Sequence, residues 1–262
     1  MSDAPLPVVF VGHGSPMNTL EQNRYTEAWA ALGATLPRPR AVLAISAHWY
    51  TNATAVTAMT APRTIHDFFG FPQALFEFEY PAPGLPALAE EVATAAAPDW
   101  VGADHDSWGL DHGTWSVLTH MFPDANVPVV QLSVNAAQPL EYHVGLGRKL
   151  APLREQGIFI VASGNVVHNL RRMDFSLEGR GYDWAERFDA AVTAAMTSDP
   201  SSLASLAGHP DYALAVPTPD HYLPAAYLAG LAEVAGEPCA VLAEGCELGG
   251  ISMTSFSVGL SG

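Results

Sequence analysis

The sequence predicts an α/β fold: a single domain over 1–262 with a mostly parallel central sheet flanked by helices. Three observations point there. Short β-branched, apolar runs recur along the chain, helical apolar spacing falls between them, and no linker, repeat or low-complexity tract separates one part from another. With 262 residues, 49% hydrophobic and 15% charged, the chain can bury a large core.

Strands are expected at 7–12 (PVVFVG), 41–47 (AVLAISA), 127–134 (VPVVQLSV), 158–164 (IFIVASG), 238–243 (PCAVLA) and 251–258 (ISMTSFSV). Several are continuous apolar runs, the pattern of strands covered on both faces. Between them, Trp29, Leu32 and Leu36 recur at helical spacing until Pro37 stops the run. A second helix has Pro86 near its start, with Leu85, Leu88 and Val92 on one face. A third runs through Leu146, Leu150 and Leu153, a fourth through Trp184, Phe188 and Val192, and a fifth covers about 225–234. This alternation implies parallel strands joined by right-handed crossovers. In open sheets of that kind, ligands sit beyond the carboxyl ends of the strands.

Composition excludes some partners. The formal net charge is −16, which argues against nucleic acid and against an anionic membrane surface. No apolar run reaches the length of a membrane span, and the N-terminus MSDAPLPVVF lacks a secretory pattern, so a cytoplasmic location is expected. Cys239 and Cys246 fit no CxxC motif and are expected as buried, reduced thiols.

The histidines are the chemical signal: ten of them against eleven lysines and arginines. His13 directly follows the first strand, His48 the second, and His168 comes shortly after 158–164. Three strand ends thus carry a histidine to one sheet edge, the convergence that a metal centre needs. His112 sits at a helix start, and His221 lies in Pro219-Asp220-His221-Tyr222. No HExxH helix, zinc-finger spacing or EF-hand loop competes. His66, beside Asp67 in an aromatic run, suits a pocket wall or core packing; His105, His120, His143 and His209 are read as structural. The cluster alone is also compatible with a Zn(II) hydrolase using metal-bound water, or with a non-catalytic binder of small aromatics.

Six segments in order carry a resemblance: Gly12-His13-Gly14-Ser15-Pro16-Met17-Asn18, Ser46-Ala47-His48-Trp49, Ile65-His66-Asp67-Phe68, Tyr80-Pro81-Ala82-Pro83-Gly84, Leu110-Asp111-His112-Gly113 and Val167-His168-Asn169-Leu170. From about residue 8 to the C-terminus the chain resembles the class III extradiol dioxygenases, in the branch of the DOPA 4,5-dioxygenases. The resemblance implies one α/β domain that binds a non-haem Fe(II), with Zn(II) able to take such sites in purified protein. It implies a catechol-type substrate cleaved with O2. His13 and His48 match metal ligands. His221 stands where the wider superfamily has a third ligand, often glutamate, which makes the set all-histidine rather than two histidines and a carboxylate. His168 matches a strand-end histidine that either ligates the metal or transfers protons, and His112 matches an acid/base histidine.

Ligand histidines are normally aligned through the other ring nitrogen, and Asp111 and Asp220, next to His112 and His221, are the expected orienters. The aromatic segment 68–80, with Trp49, Trp115 and Tyr222, is expected either to wall a substrate pocket or to pack the core.

Overall fold

Alternate residues of each central strand belong to different cores, and that fact organises the computed structural model, which describes residues 4–260. The strands are β1 (Val8–Gly12), β2 (Ala41–Thr51), β3 (Ala55–Thr57), β4 (Gly102–Asp104), β5 (Val129–Asn135), β6 (Ile158–Gly164), β7 (Ala240–Ala243), β8 (Cys246–Glu247), β9 (Ile251–Ser252) and β10 (Ser255–Val258). The helices are α1 (Arg24–Thr35), α2 (Gln73–Phe76), α3 (Pro86–Ala96), α4 (His112–Met121), α5 (Leu140–Leu150), α6 (Asp183–Ser198), α7 (Tyr212–Ala215) and α8 (Leu223–Ala235).

Eight strands form one sheet in the order β4-β3-β5-β2-β6-β1-β10-β7, while β8 and β9 pair separately. The four central strands, β5-β2-β6-β1, are all parallel. Antiparallel pairs occur only towards the margins, at β3–β5, β1–β10 and β10–β7. Every residue of β1, β5 and β6 is buried. Val8 and Phe10 of β1 face one core, shared with α3, α5, α6 and α8, whereas Val9 and Val11 face the other, shared with α1 and α4. Continuous apolar runs are what such two-sided burial demands.

All six expected strands and all five helical runs appear, with some ends shifted and several short elements added. The run at 41–47 continues to Thr51. The run at 251–258 breaks into β9 and β10 because Thr254 N–H turns onto Ser252 Oγ and leaves the ladder. The three-residue β3 and β4 were not anticipated, being too short for a period-2 pattern. Among the described residues no helix is long and apolar enough to cross a membrane.

His143 of α5 shows what this packing does to a titratable group. Its ring is fully buried beside Tyr142 and Tyr227, its Nδ1–H donates to the Pro139 carbonyl at 2.9 Å, and its Nε2 has no partner among the described residues. Burial pushes its pKa down to about 4. Between about pH 4 and the ordinary value of about 6.5, the unfolded chain therefore binds a proton that the folded chain refuses. This contribution to stability is complete above about pH 6.5 and is lost as the pH falls towards 4. His143→Leu is expected to flatten the acid side of the stability profile by on the order of 2–3 kcal/mol. Urea midpoints measured from pH 7 to pH 4 on both proteins check this, and parallel profiles would contradict it.

Candidate metal centre

The carboxyl edge of the parallel strands is where the histidines meet. His13 continues β1, its N–H donating to the Gly164 carbonyl at 3.1 Å as one more rung of the β1–β6 ladder. His48 does not follow β2 but lies inside it. The β2–β6 ladder stops at Ser46, and the β2–β5 register jumps from Ile45 to Tyr50. His48 sits in that irregular stretch, where a bulge re-aims a side chain. His168 lies beyond β6, its N–H on the Ala215 carbonyl at 2.9 Å and its backbone bridged to Ile251. His221 precedes α8, and its carbonyl accepts the Asn165 N–H at 2.9 Å. That approach needs Gly164, because a Cβ there would collide with the His221 carbonyl. His112 opens α4.

All five predicted site residues come together. The His13 ring lies 5.0 Å from that of His48, 5.6 Å from His112 and 5.3 Å from His221, centre to centre. His48 and His112 are 3.9 Å apart, and His168 stacks flat on His221 at 3.5 Å. Nitrogens of His13, His48 and His112 lie within 4.8 Å of one another, as do ligand atoms of His168, Asp220 and His221.

Four of the rings have Nδ1 committed away from the centre. Ser163 donates its hydroxyl to the Gly113 carbonyl at 2.6 Å and so accepts from His13 Nδ1–H at 2.9 Å. Asp67 accepts from His48 Nδ1 on one oxygen and from His112 Nδ1 on the other, both at 2.9 Å. Asp220 accepts from His221 Nδ1. A neutral imidazole that donates from Nδ1 carries a bare lone pair on Nε2. His13 Nε2 and His48 Nε2 stand 3.1 Å apart. A proton on either ring makes that contact a hydrogen bond, and with both nitrogens bare the spacing suits two ligands each about 2.0–2.1 Å from one ion. His221 Nε2 is buried with no partner among the described residues. The residues therefore fit a bound metal.

Burial sets the electrostatics first. It lowers His13 and His221 well below the ordinary histidine value, helped by the charges of the neighbouring histidines. Burial also brings His168 down to about 4. On His48 burial pulls downward, but the bond to Asp67 and its charge outweigh it and raise the group. His112 is lowered, by burial and by His48. Burial alone would raise Asp67, yet its bonds to His112 and His48 hold it well below the usual carboxylate range.

The pocket wall is narrower than expected. Phe68 presents an edge contact to His112 at 5.6 Å and to Trp115 at 6.0 Å. Trp49 instead stacks on Trp108, and Tyr222 packs in the core with Phe188 and Tyr212. A cavity of about 880 Å³ has Gly14, Ile251, Phe71 and Phe175 in its wall, but none of the five site histidines lines it. Its volume is within the range of small-molecule sites.

Comparison with known proteins agrees with this geometry. The family model described as the catalytic LigB subunit of aromatic ring-opening dioxygenase matches residues 2–258. The chain is 49% identical to the 4,5-DOPA dioxygenase extradiol of Escherichia coli (strain K12), covering 99% of this chain and 97% of that one. It is 35% identical to the 4,5-DOPA dioxygenase extradiol of Beta vulgaris, covering 82% of each. A crystal structure of an uncharacterized Escherichia coli K12 protein superposes with a TM-score of 0.85 at 44% identity, over 97% of this chain and all of that one. The chain belongs to the LigB family of class III extradiol dioxygenases, and it is an oxidoreductase. The hydrolytic reading of the cluster falls with that finding.

Of the two expected orienters, Asp220 acts on its neighbour, but Asp111 does not touch the His112 ring. It caps α4, accepting from Thr114 N–H, and takes Ser46 Oγ–H at 2.7 Å together with the Gln131 amide. Neighbouring side chains diverge at a helix start, so adjacency misleads there. Asp67, the partner of His112, lies 45 positions away. Its signal in the sequence is that it is the one Asp, Glu, Lys or Arg between Arg63 and Glu77. Asp111→Ala is expected to cost about 2–4 kcal/mol, from a lost cap worth ~1 kcal/mol and buried partners left unpaired at about 1–3 kcal/mol. Urea unfolding reads it, and a change below 1 kcal/mol would contradict the assignment.

Proposed function

We propose that the protein is an extradiol dioxygenase that opens a catechol-type, DOPA-like ring with O2 at a histidine-bound non-haem Fe(II), with Zn(II) able to take the same ligands. The observation that carries this reading is the set of clustered histidine nitrogens at the carboxyl edge of the sheet, in a chain of this family. The Escherichia coli and Beta vulgaris relatives bear the DOPA dioxygenase name, which supports the substrate class. We take 1–262 as one catalytic domain, and place it in the cytoplasm on the strength of two buried, unpaired cysteines.

His13, His48 and His221 would hold the metal, each with its Nδ1 anchored. Ligand histidines almost always donate their other N–H in this way. His168 has no ring hydrogen bond to any described residue, so of its two expected roles we assign proton transfer. A metal held by these residues would supply Lewis-acid and electron-transfer chemistry towards a catechol and O2.

The chain's own residues handle protons and water. A catechol sheds protons to chelate, and the opened product regains them. His112 can accept at Nε2 while Asp67 balances the resulting charge from Nδ1. His168, held neutral by burial, is available as a base. Phe68 and Trp115 keep water off the buried side of His112.

Oxygen uptake tests the reading. Protein reconstituted anaerobically with Fe(II) and given DOPA should consume O2 stoichiometrically and form a yellow product; no uptake across a catechol panel, with Fe(II) shown to be bound, would sink it. His13→Ala and His48→Ala should each abolish metal retention, measured by elemental analysis, and full occupancy would remove them as ligands. His112→Ala should keep the metal and lower kcat by about 100-fold or more; near-normal turnover would take it out of the mechanism.

A further inference from the structure

We propose that Asp67 is the positioning residue of the site: one carboxylate sets the tautomers of His48 and His112 together, so that both present a bare Nε2. The geometry is explicit. Oδ2 lies 2.9 Å from His48 Nδ1, and Oδ1 lies 2.9 Å from His112 Nδ1 and 3.1 Å from the His112 backbone N–H. A carboxylate only accepts, so both rings must donate from Nδ1. The strand histidine and the helix histidine therefore owe their chemical form to a single side chain from a loop.

That loop is held firmly enough to do it. Thr64 bridges to Leu110, and Ile65 N–H donates to the Leu110 carbonyl at 2.7 Å. Trp115 Nε1–H donates to the Ile65 carbonyl at 2.9 Å, and His66 Nε2–H to the Phe78 carbonyl at 2.9 Å. The segment before Asp67 is thus stapled to the chain on both sides of Asp111, the cap of α4, and the carboxylate has little freedom to leave either ring.

The consequence separates positioning from bulk structural support. In Asp67→Asn the amide keeps one acceptor and gains a donor. The acceptor stays with His112, where a backbone N–H and a ring N–H converge. The NH2 group then faces His48 Nδ1, which must offer a lone pair, so the His48 proton moves to Nε2 and points at His13. Every hydrogen bond is satisfied and the fold is kept, yet His48 loses the lone pair that would face a metal.

Two measurements test this, and the second rests on the metal reading above. In metal-free protein, at a pH where the rings are neutral, ring 15N shifts should show His48 and His112 both protonated at Nδ1. In Asp67→Asn, His48 alone should switch to the Nε2–H form, and Zn(II) affinity, by chelator competition, should fall about 10–100-fold with thermal stability kept. If both rings keep the Nδ1–H form in the variant, the inference is overturned. A tautomer switch in a protein that binds no divalent ion would support the role of Asp67 and sink the metal site. A metal-binding wild type whose variant keeps both tautomers and its affinity would do the reverse.

Discussion

His13 and His48 bring their Nε2 atoms to 3.1 Å from each other, and the fold holds both rings in that contact. Neither can turn away. Ser163 fixes the far nitrogen of one, through a hydroxyl already spent on the Gly113 carbonyl. Asp67 fixes the far nitrogen of the other. The contact is sustained because the anchors sit on rigid elements: Ser163 on the fully buried β6, and Asp67 on a loop pinned to α4. A site assembled this way has its ligands aligned before anything binds.

The sheet supplies that rigidity through register. β1 and β6 are parallel and end together, Gly12 opposite Gly164, so His13 and the 165–168 segment emerge side by side. β2 pairs on the other flank of β6 and would carry His48 along the sheet if it stayed regular. Its departure from the ladder after Ser46 lets a residue inside a strand take part in a site beyond the strand ends. The position of α8 completes the set, because Gly164 lets the His221 carbonyl close onto Asn165 N–H.

What was legible in the sequence follows from the range of the forces involved. The central strands showed because two-sided burial writes a continuous apolar run into each of them. His13 and His168 showed because strand-end position is a local property. The bulge at His48 did not show, since a register shift is decided by the partner strand rather than by the bulged one. Asp67 as an orienter did not show either: its partners lie 45 residues away at His112 and across the sheet edge at His48, and no local pattern encodes such a pairing. Asp111 was misread for the complementary reason. A cap residue is committed to the helix backbone, so its side chain is unavailable to the residue beside it. Trp49 and Tyr222 were ambiguous between wall and core, because an aromatic residue near a functional histidine serves either role equally well by composition.

The all-histidine ligand set proposed for this site would also change where negative charge stands. With a glutamate as third ligand, part of a dication's charge would be cancelled by the protein directly. Here the carboxylates Asp67 and Asp220 stand one hydrogen bond behind the imidazoles of His48 and His221. Carboxylates in that position make the imidazoles stronger donors without occupying the coordination sphere. The same arrangement leaves His112 sharing its counter-charge with His48, so a proton arriving on one ring is felt by the other through Asp67. In the proposed site, metal binding and proton handling would be joined through a single side chain, Asp67.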